Sequence, residues 1–359
     1  MSQLLSLEQL ASVDEWLGYS VVVTGPMRAE KTRATRDLAH RVSHFAGKAV
    51  ISFTPSTDER IVDDAARIRG WVHLSSQSDV VPSEQVISYI FRNPEDILRI
   101  LEEHDSELIQ NSETDDYVKL VDIQELSFLG ADIIPVLQEI PRFNGRKRIL
   151  VVSGLNKNFR GEAMGVMGWT MANFDKTFSY TAHCNFVEDG KICGKPAHYT
   201  YRLINIEKSR YDGPEVQVKN NGQIIRGFTF APFFDPEYAP EKGKGIPEQD
   251  YERIYGPACK IHFPDKLPFQ DETFEVHNYI IDHISEIGNQ QLGSLHEAVI
   301  RSRFSQISQL EPIINFLVEE RGVKREGGFF KLKSYHKGIR PGTYARLCQD
   351  TNFEMVSQR

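Results

Sequence analysis

The sequence predicts an α/β fold with a mainly parallel sheet, followed by a small cysteine-containing region and a mainly helical C-terminal region. Short, β-branched apolar runs alternate with helix-like segments in the first half of the chain. This alternation is typical of a parallel sheet that is covered on both faces and binds ligands at its carboxyl edge. The composition then changes twice, which predicts units at residues 1–180, 181–263 and 264–359.

The first unit can be assigned element by element. The apolar run "YSVVVTGPM" predicts a strand, and the helix after it has Ala34, Leu38 and Val42 at helical spacing. Further strands are predicted in "KAVISFTPS", "VKLVDIQELSF" and "KRILVVSGLN", and helices in "SEQVISYIF", "PEDILRILEEH" and "GADIIPVLQEI".

The later units have different signals. The stretch "GFTFAPFFDPEYAPEKGKGIPEQDYER" is rich in Pro, Gly and aromatic residues and predicts a long loop. Helices are predicted in "FEVHNYIIDHISEI", "LGSLHEAVIRSRFSQI" and "LEPIINFLVEERGV", followed by a hairpin in "KREGGFFKLKSY". Helices followed by such a hairpin have the order of a winged helix. Its lysines and arginines suggest contact with nucleic acid or protein, and the alternative is a solvated basic hairpin.

Bulk properties narrow the function. The 359 residues carry a net charge of -8, which disfavours a dedicated nucleic-acid binder. The N-terminus has acidic residues and no basic cluster before its apolar residues, unlike a targeting signal. No apolar run approaches the roughly 20 residues that a membrane span needs. We therefore expect a cytoplasmic protein that does not bind membranes.

The first strand leads into a phosphate-binding pattern. In G-x-x-x-x-G-K-S/T, backbone N–H groups surround phosphate oxygens, the lysine reaches the β and γ phosphates, and the hydroxyl ligates magnesium. Gly25, Lys31 and Thr32 fit this spacing, but Glu30 replaces the second glycine. We expect Glu30 to obstruct the turn and to weaken ATP binding by its charge. Taken alone, the pattern is also compatible with a chance match.

Five segments, in order, resemble the thymidine kinase family of the cellular and poxviral type. "TGPMRAEKT" resembles G-P-M-F-S-G-K-S/T, "TPSTDERI" resembles K-P-x-x-D-x-R-Y, and "SGLNKNFRGEAMG" resembles G-L-D-x-D-F-R-G-x-P-F-G. "CGKPAHYTYRLI" resembles C-G-x-x-A-x-x-T-x-R-L, and "YGPACKIHF" resembles the closing Y-x-x-x-C-R-x-C/H-Y/H. The resemblance spans roughly residues 20–263 and implies a P-loop kinase core with a zinc-pinned lasso.

The family's strand before the active site ends in D-E-x-Q-F, whose aspartate holds the magnesium shell and whose glutamate deprotonates the nucleoside 5′-hydroxyl. Aligning "LVDIQELSF" with it places Gln124 on the aspartate, Glu125 on the base and Phe128 on the phenylalanine. An alternative register takes Asp122 as the metal carboxylate. It puts Ile123 where the base belongs and needs a two-residue bulge before Phe128.

The resemblance also implies the remaining site residues. Positive charge is expected from Lys31, Arg60 and Arg160. The implied ATP-binding residues are Gly25, Pro26, Met27, Lys31, Thr32 and Arg60. The implied nucleoside-binding residues are Asp58, Phe128, Phe159, Arg160, Val216, Val218 and Tyr255. Apolar strand packing is the alternative role for the two valines and the tyrosine.

Three of the four cysteines indicate a metal site. Cys184 and Cys193 are separated by "NFVEDGKI", and Cys259 and His262 form a C-x-x-H pair. Two such pairs suit one tetrahedral zinc ion. In the resembling family this zinc holds the base of a lasso that closes over thymine. His183 and His198 are substitute ligands, and unligated thiols are the alternative.

These features predict ATP- and Mg²⁺-dependent 5′-phosphorylation of thymidine or a related deoxynucleoside, with a structural Zn²⁺ ion. The resemblance also implies a homo-oligomer, a tetramer. The alternative is a catalytically weakened relative that binds a nucleotide as a regulatory or DNA-associated protein. Glu30 and Gln124 favour the alternative, whereas Lys31, Thr32 and Glu125 favour the kinase.

Overall fold

The computed structural model describes residues 13–46, 48–56, 86–111, 117–209, 213–235, 253–286 and 294–332. Its core is a six-stranded, all-parallel sheet with the strand order β3-β2-β4-β5-β1-β6. The strands are β1 Ser20–Gly25, β2 Val50–Pro55, β3 Val86–Phe91, β4 Leu120–Ile123, β5 Ile149–Leu155 and β6 Lys176–Ser179. The helices between them are α1 Lys31–Ala46, α2 Glu95–Asn111, α3 Ile134–Glu139 and α4 Met167–Asn173.

Both faces of this sheet are buried, as the sequence predicts. Val21 and Val23 pack with Leu38 and Val42 of α1 on one face. Alternate residues of the same strands, such as Val22, join a second hydrophobic cluster with α2 and α3 on the other face. Short 3-10 turns follow β4 and flank α3, at Leu126–Phe128, Ala131–Ile133 and Ile140–Gly145. The α/β prediction is confirmed.

The helix predicted in "SEQVISYIF" is wrong. Val86–Phe91 forms the edge strand β3, which pairs in parallel with β2 from Val50↔Val86 to Pro55↔Phe91. The run consists mainly of β-branched and aromatic residues, which fit a pleated, half-buried surface better than a helix. The segments "PEDILRILEEH" and "GADIIPVLQEI" do contain helices, α2 and α3.

A second, antiparallel sheet follows the core, with the strand order β12-β13-β11-β14. Two small strand pairs, β7 with β10 and β8 with β9, lie before it in the chain. The bounds are β7 Ala182–His183, β8 Val187–Glu188, β9 Lys191–Ile192, β10 Pro196–Ala197, β11 Tyr199–Asn205, α5 Ile206–Ser209, β12 Val216–Asn220, β13 Gln223–Phe230 and β14 Arg253–Ala258.

The long loop predicted after Arg226 is wrong in its first part. Its opening residues complete β13, and Ala231 and Phe233 are fully buried next to the C-terminal helices. The aromatic residues that suggested an irregular segment are used as strand and core residues instead. Residues 236–252 lie outside the described part of the chain.

The C-terminal unit, residues 270–332, combines helices with a three-stranded antiparallel sheet ordered β15-β17-β16. Its elements are α6 Gln270–Glu286, β15 Leu295–His296, α7 Glu297–Arg303, α8 Leu310–Glu320, β16 Val323–Glu326 and β17 Phe329–Leu332. The hairpin prediction is confirmed, and the order of elements is that of a winged helix. The segment "LGSLHEAVIRSRFSQI" contains a strand as well as a helix. None of the described helices is long and apolar enough to cross a membrane.

Candidate functional site

The loop between β1 and α1 lies at the carboxyl edge of the core sheet. Gly25 has φ 155, and a Cβ at this position would lie 2.5 Å from the carbonyl oxygen of Tyr180. Arg28 and Glu30 both have left-handed backbone conformations, with φ 61 and φ 54. Non-glycine residues adopt such conformations at a cost of about 1–3 kcal/mol, and they cluster at functional sites. The loop therefore has the tight, strained shape of a ligand-binding turn.

The antiparallel sheet supports this loop from outside. The backbone N–H of Met27 donates to Oγ1 of Thr200 on β11 at 3.1 Å. The guanidinium of Arg28 donates to Oδ1 of Asn220, the last residue of β12. Thr200 belongs to the cysteine-containing segment that resembles the kinase family, and this contact gives it a structural role. The sequence offered no signal for Asn220.

Lys31 is the first residue of α1 and is buried within the loop. Its Nζ donates to the carbonyl oxygen of Pro26 at 2.8 Å. Thr32 follows at the partly buried start of the helix. A helix N-terminus carries partial positive charge and unsatisfied N–H groups, so it favours a phosphate. Gly25, Pro26, Met27, Lys31 and Thr32 thus form one continuous turn, as their spacing predicts.

The side chain of Glu30 lies at the protein surface. It is 69% exposed and forms an ion pair with Arg33 at 3.5 Å. Because its carboxylate lies in solvent beside a guanidinium, its charge is screened. The expected electrostatic conflict with a polyphosphate therefore loses its main geometric basis, and backbone strain is the remaining cost of this residue.

The segment after β4 contains the predicted base. Glu125 is buried and has φ 52, and its carbonyl oxygen accepts from the N–H of Phe128 at 3.1 Å. The left-handed conformation of Glu125 interrupts the extended backbone after β4 and starts the 3-10 turn that contains Phe128. Strand β4 ends at Ile123, the residue before Gln124. Glu125 thus begins the turn that contains Phe128, and its assignment as the base stays a prediction.

Asp122 and Gln124 form a buried polar cluster with Ser52. Oδ2 of Asp122 accepts from Oγ of Ser52 at 3.0 Å and from Nε2 of Gln124 at 2.9 Å. Oδ1 is buried and has no hydrogen-bond partner among the described residues. Burial raises the pKa of Asp122 to about 6, while the hydrogen bonds from Gln124 and Ser52 and the charge of Arg36 oppose this rise. The Asp122 carboxylate thus lies next to the Gln124 amide, two residues earlier in the chain.

Residues 156–165 form a compact loop after β5. Oδ1 of Asn158 accepts from the backbone N–H groups of Arg160 and Glu162 at 2.9 and 3.1 Å. Gly165 has φ 52, and a Cβ there would collide with the carbonyl oxygens of Ser127 and Leu129. The loop therefore packs directly against the segment that begins with Glu125.

Phe159 and Arg160 are buried in this loop, and neither lines an open phosphate site. Phe159 lies under the guanidinium of Arg202, with 3.9 Å from Cζ to the ring centroid. The Arg160 side chain donates to the carbonyl oxygens of Phe233 and Asp235, both at 2.6 Å. These donors bind protein acceptors, so the expectation that Arg160 neutralises phosphate is not supported by its contacts.

Sequence reasoning missed an ion-pair cluster beside this loop. Asp235 binds Arg202 at 2.6 Å and Arg253 at 3.0 Å, and all three side chains are buried. Although burial raises it, the two guanidinium groups hold the pKa of Asp235 below its usual value. Arg202 also lies over the Tyr255 ring, 5.0 Å from its centroid. Phe159 and Tyr255, far apart in sequence, are thereby brought to one arginine.

The other predicted nucleoside contacts lie elsewhere or are not described. Val218 is fully buried in a hydrophobic cluster with Cys184 and Phe186, and partly buried Val216 packs against that cluster. This is the strand packing that the sequence left as their alternative role. Asp58 and Arg60 lie outside the described residues.

Cys184, Cys193, Cys259 and His262 converge, and their ligand atoms all lie within 4.8 Å of one another. Sγ of Cys193 and Sγ of Cys259 are 3.9 Å apart, and Nδ1 of His262 is 3.4 and 3.3 Å from the sulfurs of Cys184 and Cys259. A tetrahedral zinc with Zn–S bonds of about 2.3 Å places two sulfurs about 3.8 Å apart. The donor set and its spacing fit zinc.

The surroundings of the cluster also fit a metal. Nε2 of His262 lies 2.9 Å from Oε1 of the exposed Glu188, but it makes no hydrogen bond within the described residues. A carboxylate this close can orient a ligating imidazole after a small rotation of either side chain. Burial raises the pKa of Cys259, but hydrogen bonds from His262 and Ile261 outweigh this and lower it. His183 contacts the carbonyl oxygen of Gly194 and is not needed to complete the donor set. Glu188 had no sequence signal because its register against His262 depends on the fold.

The C-terminal hairpin has few uncompensated charges. Arg325 binds Glu297 at 2.5 Å and Glu311 at 3.0 Å, while Lys324 and Lys331 both pair with Glu326. Each of these basic side chains has an acidic neighbour, which favours a solvated hairpin over a nucleic-acid surface. Lys333 and Lys337 lie outside the described residues.

A six-stranded parallel sheet, with a phosphate-type loop before α1 and an acidic turn after β4, defines an α/β protein with a P-loop-like turn. No family model matches the chain. Thymidine kinase from Pyrobaculum aerophilum is 31% identical over 203 residues, which cover 56% of this chain and 91% of that protein. Thymidine kinases from Coprothermobacter proteolyticus and Deinococcus radiodurans are each 28% identical, over 58% and 56% of this chain and 86% and 83% of their own lengths. The chain belongs to the thymidine kinase family.

The metal cluster generates the first prediction. Reduced, purified protein should contain about one zinc per chain, and Cys259→Ser should release it, because removal of one thiolate opens the tetrahedral site. Elemental analysis of both proteins measures this. His198→Ser is the control, since His198 is exposed and is not one of the four clustered residues. Absence of zinc from the parent, or equal loss in both variants, would contradict the assignment.

The left-handed backbone of Glu30 generates the second prediction. Glu30→Gly should raise the free energy of unfolding by about 1 kcal/mol, because glycine adopts this conformation without strain. Glu30→Ala should give no such gain, since alanine keeps the strain but removes the carboxylate. Denaturant unfolding measures the stability of both variants, and calorimetry measures their ATP affinity. We expect ATP affinity to change less than about threefold in both. A tenfold gain in both variants would show that the carboxylate faces the phosphates.

Proposed function

We propose that this protein transfers the γ-phosphoryl group of ATP to the 5′-hydroxyl of thymidine or a related deoxynucleoside. The observation that carries the proposal is the phosphate loop, which keeps Lys31 inside the turn and directs the replacement residue Glu30 into solvent. Membership of the thymidine kinase family supports the same reaction class. We also propose that the protein is cytoplasmic. Its predicted units are a kinase-like domain at residues 1–180, a zinc and lasso subdomain at residues 181–263, and a C-terminal extension at residues 264–359.

The donor side depends on positioning and charge. Phosphoryl transfer needs little covalent participation by the protein, so catalysis comes mainly from orientation and electrostatic stabilisation. The N–H groups at the start of α1 and the ammonium of Lys31 bind the phosphates. Magnesium, when bound with ATP, neutralises phosphate charge. Thr32 and Asp122 are the residues that would hold it. The buried Oδ1 of Asp122, which has no hydrogen-bond partner in the described part of the chain, fits a cation or its hydration shell.

The acceptor side depends on Glu125. A general base must accept the proton of the nucleoside 5′-hydroxyl as the oxygen attacks phosphorus. Glu125 follows β4 at the carboxyl edge of the sheet, two strands from β1 and its phosphate loop. Parallel strands bring such residues to one edge. The zinc ion, at the base of the antiparallel sheet, has a structural role in this proposal.

The alternative function is nucleotide-dependent regulation without turnover. Gln124 favours it, because an amide cannot replace the negative charge of the family's aspartate. Its hydrogen bond to Asp122 nevertheless keeps a carboxylate nearby. We therefore place catalysis first, and the same experiment separates the two functions.

The third prediction concerns Glu125. Glu125→Gln should lower the rate of thymidine monophosphate formation from ATP and thymidine by roughly 10²- to 10⁴-fold, because it removes the base but keeps the shape of the side chain. Thymidine affinity, measured by calorimetry, should change little. Glu139→Gln makes the same change on the exposed surface of α3 and should be as active as the parent.

Two outcomes would count against the proposal. Unchanged turnover in Glu125→Gln would exclude Glu125 as the base. A parent protein that binds ATP but phosphorylates no deoxynucleoside would favour the regulatory function.

A further inference from the structure

We propose that the C-terminal unit positions the acceptor site by holding residues 158–162 through two ion pairs. The loop supplies the cation of one pair, and the unit supplies the cation of the other. The inference rests on the proposed function, because a nucleoside-binding role for this loop follows only if the protein is a nucleoside kinase, as the family resemblance implies. The unit lies beyond the part of the chain that the kinase resemblance covers.

The first ion pair connects Arg160 of the loop with Glu320, the last residue of α8. Nη1 of Arg160 lies 2.9 Å from Oε2 of Glu320, and the Arg160 side chain is 1% exposed. The same side chain also donates to the carbonyl oxygens of Phe233 and Asp235. A buried guanidinium that loses one acceptor keeps its desolvation penalty, so the carboxylate is needed for the observed loop conformation.

The second ion pair runs in the opposite direction. Arg321, the residue after Glu320, binds Oε1 of Glu162 at 2.5 Å, and its side chain is 4% exposed. The loop contributes Arg160 and Glu162, which are two residues apart, and the unit contributes one adjacent anion and cation, Glu320 and Arg321. A shift in register would bring like charges together. The pairs therefore fix where the loop sits along the end of α8, as well as holding it there.

Aromatic side chains surround the ion pairs. The guanidinium of Arg160 lies 4.8 Å from the Phe159 ring centroid and 4.7 Å from that of Phe316 on α8. Phe159, Phe233 and Phe316 belong to one hydrophobic cluster with the helices of the C-terminal unit. This apolar shell buries the two guanidinium groups, while Glu320 and Glu162 stay about one-fifth exposed. The low dielectric around the guanidinium groups makes their charged contacts stronger. The loop and the unit thus share a core.

The position of the loop affects the segment that carries Glu125, because the two segments are in contact. The side chain of Asn158 ties the backbone of Arg160 and Glu162 together. At the other end of the loop, Gly165 contacts the carbonyl oxygens of Ser127 and Leu129 so closely that no side chain fits. Ser127 lies two residues after Glu125. A displacement of α8 would therefore alter both the nucleoside loop and the turn that carries the base.

Charge substitution tests the proposal in the full-length protein. Arg321→Glu places a carboxylate opposite Glu162 and should raise KM for thymidine about tenfold, a usual size for coupling between sites. KM for ATP should stay within about twofold of the parent, because the side-chain hydrogen bonds that support the phosphate loop go to Thr200 and Asn220 in the described part of the chain. Glu320→Gln, a milder change, should act in the same direction. The swap Glu162→Arg with Arg321→Glu should restore most of the thymidine affinity.

A readout without ligand separates this proposal from the proposed function. Trypsin should cleave after Arg160 faster in Arg321→Glu than in the parent and slowly again in the swap, as mass spectrometry of the fragments would show. Glu326→Gln, which breaks exposed ion pairs of the same unit, is the control and should match the parent. Unchanged cleavage after Arg160 in every variant would show that the two ion pairs do not hold the loop, whether or not the parent phosphorylates thymidine. That result would overturn the proposal. Equal rises in both KM values would overturn the positioning role and indicate general destabilisation.

Discussion

Arg160 places a positive charge in the interior of the protein, and the arrangement around it follows from the need to compensate that charge. A buried, unpaired guanidinium would cost several kcal/mol. Its acceptors come from the segment after β13 and from the end of α8, so segments far apart in sequence must meet at the loop after β5. The loop after β5 is therefore held by the core, the antiparallel sheet and the C-terminal unit together.

The phosphate side is more local but is not independent. Its turn depends on Gly25 for close approach to Tyr180 and on Thr200 for an acceptor to the Met27 N–H. Thr200 lies on β11, in the sheet that contributes to the metal cluster through its neighbours. The Cys–His cluster and the phosphate-type loop are thus linked, because β11 carries Thr200 and pairs with β14, which ends beside Cys259.

Much of this fold could be predicted because local patterns agreed with tertiary structure. The parallel sheet, the turn at Gly25 and the Cys–His cluster all follow from spacing along the chain. Prediction failed for β3, since a short apolar run does not distinguish an edge strand from a helix. It also missed Asp235, Glu188 and Glu320, because each gains its role only when a distant partner is folded against it. Arg160 was singled out as a nucleoside-side residue, but its acceptors in the fold could not be foreseen because they come from segments far away in the sequence.

The two ion pairs predict that residues 156–165 and the C-terminal unit behave as one body. Hydrogen–deuterium exchange of the intact protein with and without thymidine tests this directly, since exchange reports local opening. We predict that thymidine slows exchange in peptides covering residues 156–165 and also in peptides covering residues 310–321. Slower exchange in residues 156–165 alone, with residues 310–321 unchanged, would contradict the account.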